Sequence, residues 1–161
     1  MRLLFLLMSS SCAYIPVNIY NDTTLSHDII NQTYMMAQDM FEKDTGCIAP
    51  TYGNLAIINK DLKALNRGNN VFTSDGLAIT TGLYQPQTDV IYLASELPDQ
   101  SRTLFHEFLH FMFARSSNCA WVDIKLQHKI IPYMERKFFI ATEKPKLLGN
   151  QWLIKAILEI K

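Results

Sequence analysis

Apolar and polar positions along the chain change period several times, and the changes mark out elements. Pro16 to Tyr20 alternates and predicts a first strand. Leu25 to Lys43 follows a helical period. Ile30, Tyr34, Ala37 and Phe41 share a face that Ile29, Met36 and Met40 widen. Ser26 is placed to cap this helix, Asp28 lies in its first turn and Gly46 can end it, with His27 flanking its start. Leu55 to Asn59 reads as a short strand set off by Pro50 and Gly53, and the polar stretch Lys60 to Asn70 as a loop or short helix. Gly76 to Tyr84 and Asp89 to Ala94 are strand-like, and Gln85-Pro86-Gln87-Thr88 between them predicts a hairpin. Pro98-Asp99 then opens a helix to about Arg115, with Asp99 or Ser101 as cap and Ser116-Ser117-Asn118 as its end. A second helix is expected over Leu126 to Thr142, with Pro132 near its start or kinking it. Lys144-Pro145 breaks it, and Asn150 to Ile160 suits a final helix.

Composition narrows the class. The 161 residues suit one domain, 48% are hydrophobic, and 15 basic residues balance 15 acidic ones. A neutral chain without a basic patch argues against nucleic acid as the partner, and Glu135-Arg136-Lys137 reads as one solvated helical turn. No stretch of 18 uninterrupted apolar residues is present to span a membrane. Met1-Arg2, the apolar run Leu3 to Met8 and the small residues Ser11 and Ala13 predict a secretory signal peptide over 1–13, leaving one domain over 14–161. A lipoprotein signal with Cys12 lipidated is the rival reading. Export to the periplasm or outside leaves Cys47 and Cys119 as an even pair, expected to form a disulfide. Asn21-Asp22-Thr23 and Asn31-Gln32-Thr33 are glycosylation sequons that matter only in a glycosylating host.

The chemistry concentrates in His106-Glu107-Phe108-Leu109-His110. Residues four apart stack on one helix face, so both imidazoles can reach one metal ion, and Glu107 lies beside it as a general base. Leu104, Phe105, Phe108, Leu109, Phe111, Met112 and Phe113 make this helix apolar nearly all round, which buries it. Polar groups there need partners, and a metal supplies one. A third protein ligand with an open position is the catalytic pattern for zinc. The chain departs from H-E-x-x-H-x-x-G-x-x-H, because Phe113 and Ser116 stand at the later positions. Candidates for the third ligand are Asp123, His128, Glu135 and Glu143. His128 is favoured, with Glu135 as the alternative, since seven residues separate these two.

Thr103 to His110, preceded by the strand Val90 to Leu93, resembles the zincin metallopeptidases. The resemblance implies an α+β fold: a small twisted mixed sheet, its edge strand over the active-site helix, a backing helix and a C-terminal helical part. It implies zinc-assisted hydrolysis of a peptide or protein substrate, whose extended backbone would pair with the edge at Leu77 to Gly82. A later histidine before a proline-containing helix is similar to SprT-like proteases, and a glutamate ligand would be similar to gluzincins. Tyr133 is a candidate for stabilising the oxyanion. The rival reading is a secreted, non-catalytic zinc-binding module.

Overall fold

The computed structural model describes residues 17–67, 71–73, 76–78 and 80–142. The segment 1–13 expected to be a signal peptide, with Cys12, Glu143 and the helix expected over Asn150 to Ile160, lies outside these residues. The elements run β1 (Asn18–Asp22), α1 (His27–Thr45), β2 (Asn54–Lys60), α2 (Leu62–Asn66), β3 (Val71–Thr73), β4 (Gly76–Ala78), β5 (Gly82–Gln85), β6 (Val90–Ala94), α3 (Ser101–Arg115) and α4 (Ile124–Thr142). The fold is mixed α+β, with a small mixed sheet and four helices among the described residues.

The main sheet has the order β1-β2-β6-β5. β1, β2 and β6 are parallel, and β5 closes one edge antiparallel to β6. Register aligns Ile57 with Ile91 and Ile91 with Tyr84, so buried residues of three strands form one row on one face. The core lies between that face and the helices α1 and α3.

α3 is the hub, as its all-round apolar sequence requires. Phe108 meets Tyr34 and Phe113 meets Phe41 edge-on across to α1, while Phe111 meets Tyr84 of β5. Phe105 stacks on Phe138 of α4 at 4.2 Å between ring centres. Cys47, just past α1, is disulfide-bonded to Cys119 in the turn after α3, as expected.

Local caps explain where elements begin. Ser26 accepts a hydrogen bond from the Ile29 N–H, and Gly46 ends α1 in the left-handed region at φ 69°. Asp61 accepts from the Ala64 N–H and starts α2, which resolves the 60–70 stretch as a short helix up to Asn66. α3 is preceded by Gln100, not by Asp99 or Ser101 as cap. The Gln100 amide turns instead to the Ala94 carbonyl and Asn59, while Asp99 accepts from the Ser101 N–H and hydroxyl. α4 begins at Ile124, two residues early, because Asp123 accepts from the Leu126 N–H. Pro132 sits inside α4 rather than near its start.

Two strand expectations need correction. β1 is shifted to Asn18–Asp22, because parallel pairing with β2 begins at Asn18 and Asn54. The strand expected over Gly76 to Tyr84 is two, β4 and β5. Its ladder is broken where the Asn66 side chain takes both backbone groups of Thr80: Thr80 N–H donates to Asn66 Oδ1 at 2.7 Å, and Asn66 Nδ2 donates to the Thr80 carbonyl at 2.9 Å. The hairpin survives as β5–β6, and the sheet edge is Gly82–Gln85 rather than Leu77 to Gly82.

Candidate metal centre

His106 and His110 lie one turn apart on α3 with Glu107 next to His106, and α4 crosses beside them to bring in His128. Ring nitrogens of His106, His110 and His128 all fall within 4.8 Å of one another, so the three could hold a metal ion. Nε2 of His106 and Nε2 of His110 are 3.0 Å apart. A tetrahedral zinc with ~2.0–2.1 Å bonds holds two nitrogens roughly 3.4 Å apart, so this pair is spaced for a shared ion. His128 is the exposed member of the three.

The other ring nitrogens of His106 and His110 are occupied, which fixes what these two imidazoles present. His110 Nδ1 lies 2.7 Å from Gln127 Oε1. The Gln127 amide nitrogen donates to the Val122 carbonyl at 2.7 Å, so its oxygen must face the histidine. His110 therefore carries its proton on Nδ1 and turns a bare Nε2 to the cluster. His106 Nδ1 faces Glu135 Oε1 at 3.3 Å, and Arg102 Nε stands 3.7 Å from the same carboxylate. Gln127 escaped the sequence reading, since a glutamine carries no motif. Its place beside His128 on one helix was the available signal.

Burial sets the protonation. It pushes His110 down to about 4, against the opposing hydrogen bond to Gln127. It also pushes His128 down, with the His106 charge acting the same way. Burial depresses His106 too, but the Glu135 hydrogen bond and the carboxylates of Glu107 and Glu135 outweigh it, and the net shift is upward. Glu135 is opposed by burial but held low by His106 and Arg102. Burial thus favours the neutral, metal-ready form of His110 and His128, while the neighbouring carboxylates favour the charged form of His106.

Glu107 is buried, and burial raises its carboxyl to about 7. Its Oε2 accepts the Tyr84 backbone N–H at 2.8 Å, which ties it to β5. The close approach of strand and helix requires Gly82. A Cβ there would stand 2.4 Å from Thr103 Cγ2 and 2.9 Å from Glu107 Oε1. The Ala94 N–H bonds the Thr81 carbonyl, so by alternation the backbone groups of Gly82 and Tyr84 point outward from the sheet edge. A cavity of about 530 Å³ opens between this edge and the three histidines, lined in part by His106, Glu107, His128 and Glu135.

The remaining candidates are placed elsewhere. Asp123 serves as the α4 cap and is not among the clustered donors. Glu135 orients His106 rather than joining the three clustered nitrogens. Tyr133 is exposed on α4 with Lys137 Nζ 4.7 Å over its ring, and it does not line the cavity. His27 is the first residue of α1. Among the described residues, no helix is long and apolar enough to cross a membrane. Comparison with protein-family models and with curated proteins finds no match for the chain.

Proposed function

We propose that the protein is an exported zinc metallopeptidase of the zincin type. The observation that carries the reading is the convergence of three histidine nitrogens beside a buried glutamate at the wall of an open cavity. Three nitrogen donors with an open fourth position are the catalytic form of a zinc site, and a closed structural site would use four protein ligands. When bound, zinc supplies Lewis acidity and activates water near neutral pH.

The residues of the chain do the rest. His106, His110 and His128 would hold the ion, with Gln127 and Glu135 keeping the first two in register. Glu107 accepts the proton of the attacking water and returns it to the leaving amine. A carboxyl poised near 7 suits both halves of that task. The Tyr84 N–H steadies one Glu107 oxygen so that the other is presented to the reaction. The outward groups of Gly82 can pair with an extended substrate backbone. The Cys47–Cys119 disulfide supports an oxidising compartment, consistent with the signal-like N-terminus.

The test is Glu107→Gln beside the wild type, each purified and loaded with zinc. About one zinc per chain in both is expected, with turnover of a peptide substrate reduced at least ~100-fold in the variant. Full turnover by Glu107→Gln would remove the glutamate from the mechanism. Zinc binding without turnover in the wild type would leave a non-catalytic zinc module.

A further inference from the structure

The cavity beside the histidines has a wall of unusual chemistry. Besides the groups already placed at the centre, its described lining is Thr80, Thr81, Gly82, Arg102 and Thr103. No aliphatic or large aromatic side chain faces it among the described residues. An apolar substrate side chain would gain little there, because burying hydroxyls and charges against hydrocarbon leaves them without partners.

Arg102 brings the one guanidinium among the described residues of this wall. Its Nε stands 3.7 Å from Glu135 Oε1, and its side chain is 60% exposed. Lining the cavity and more than half exposed, the guanidinium fork keeps N–H donors beyond the one facing Glu135. Such a fork matches the two oxygens of a carboxylate. Glu135 does not repel an incoming anion strongly, because His106 and Arg102 already face its charge. The wall is also preformed. Asn66 holds Thr80 by both backbone groups and is itself anchored to the Leu62 carbonyl at 2.8 Å.

We propose that this cavity recognises a carboxylate of the substrate peptide close to the scissile bond, with Arg102 as the residue that selects it. The proposal rests on the peptidase reading and names its substrate class: peptides bearing an acidic side chain, or their own chain end, next to the cleaved bond.

The experiment uses the full zinc-loaded chain and peptides acetylated and amidated at their ends, identical except for Glu, Gln, Lys or Leu beside the cleaved bond. A further peptide carries Ala there and a free C-terminal carboxylate, which separates side-chain from chain-end recognition. Turnover is read on the wild type and on Arg102→Gln and Arg102→Glu, with zinc content measured for each. Binding is read by calorimetry on Glu107→Gln and on the double variant Glu107→Gln with Arg102→Gln. A preference of at least ~10-fold for the Glu or free-carboxylate peptide over Gln is expected in kcat/KM. Arg102→Gln should collapse it to about one, and Arg102→Glu should turn it toward Lys. Equal handling of Glu and Gln, or a preference that survives Arg102→Gln, overturns the proposal. If the wild type cuts none of the peptides, the peptidase reading fails separately. The binding arm then decides carboxylate recognition by the same ratio.

Discussion

Removing the Gln127 amide would leave the Nδ1–H of a buried imidazole facing nothing. That loss should cost about 1–3 kcal/mol of stability in Gln127→Ala. Zinc affinity should fall ~10- to 100-fold, since His110 would no longer be held in its tautomer or its ring orientation. Urea unfolding without zinc and a competitive zinc titration read the two effects apart. Gln127→Glu keeps an acceptor at the same place and should recover most of the affinity. An unchanged zinc affinity in Gln127→Ala would show that His110 needs no such partner. At this scale the sequence was legible where spacing alone carries chemistry: the four-residue step from His106 to His110 needs no tertiary knowledge. It was silent on whether Glu135 meets the ion or a ligand's far nitrogen, because both options share the helix face that carries His128. The crossing of α3 and α4 sets Glu135 Oε1 3.3 Å from His106 Nδ1.

The elements show where local pattern stops being enough. Periodicity located α1, β2, β6 and α3 within two or three residues, and the caps Ser26 and Gly46 were legible for α1, because those signals are written in neighbouring positions. The break between β4 and β5 is made by an asparagine 14 residues upstream of Thr80, and no local period records such a contact. The result moves the sheet edge to Gly82–Gln85, and with it the strand that touches Glu107. Gly82→Ala tests that contact. Its methyl would meet Thr103 and Glu107 and push β5 off α3. The expected cost is about 1–3 kcal/mol from overpacking, with turnover reduced at least ~10-fold as the Tyr84–Glu107 bond is lost. Thermal unfolding and peptide hydrolysis measure the two. A variant as stable and active as the wild type would mean that strand and helix are free to separate.

For the whole molecule, the disulfide closes a loop spanning 72 positions, from the end of α1 to the turn that leads into α4. In the chain-entropy picture that closure stabilises the fold by about 4 kcal/mol. Replacing both Cys47 and Cys119 by Ala should remove most of it, visible as a lower urea midpoint with an intact far-ultraviolet spectrum. No change in midpoint would show that the bridge adds nothing the core does not already supply. The pairing was legible from cysteine parity and the signal-like N-terminus. The layering of α1, α3 and the sheet was not, because packing partners for an all-round apolar helix cannot be assigned from its own sequence.

α4 contributes His128, Gln127 and Glu135 to a centre whose other members belong to α3. Pro132 lacks the N–H that a helix would give to the His128 carbonyl, so the turn carrying His128 is held by one bond fewer. A cation shared by the two helices would supply the missing tether. Loading and docking of α4 then form a single linked equilibrium, in which a thousandfold excess of ion over its dissociation constant adds about 4 kcal/mol to the folded state. Metal supply would then govern how long the protein survives proteolysis, since without an ion α4 is held by its buried face at Ile131, Met134 and Phe138 and lacks that tether.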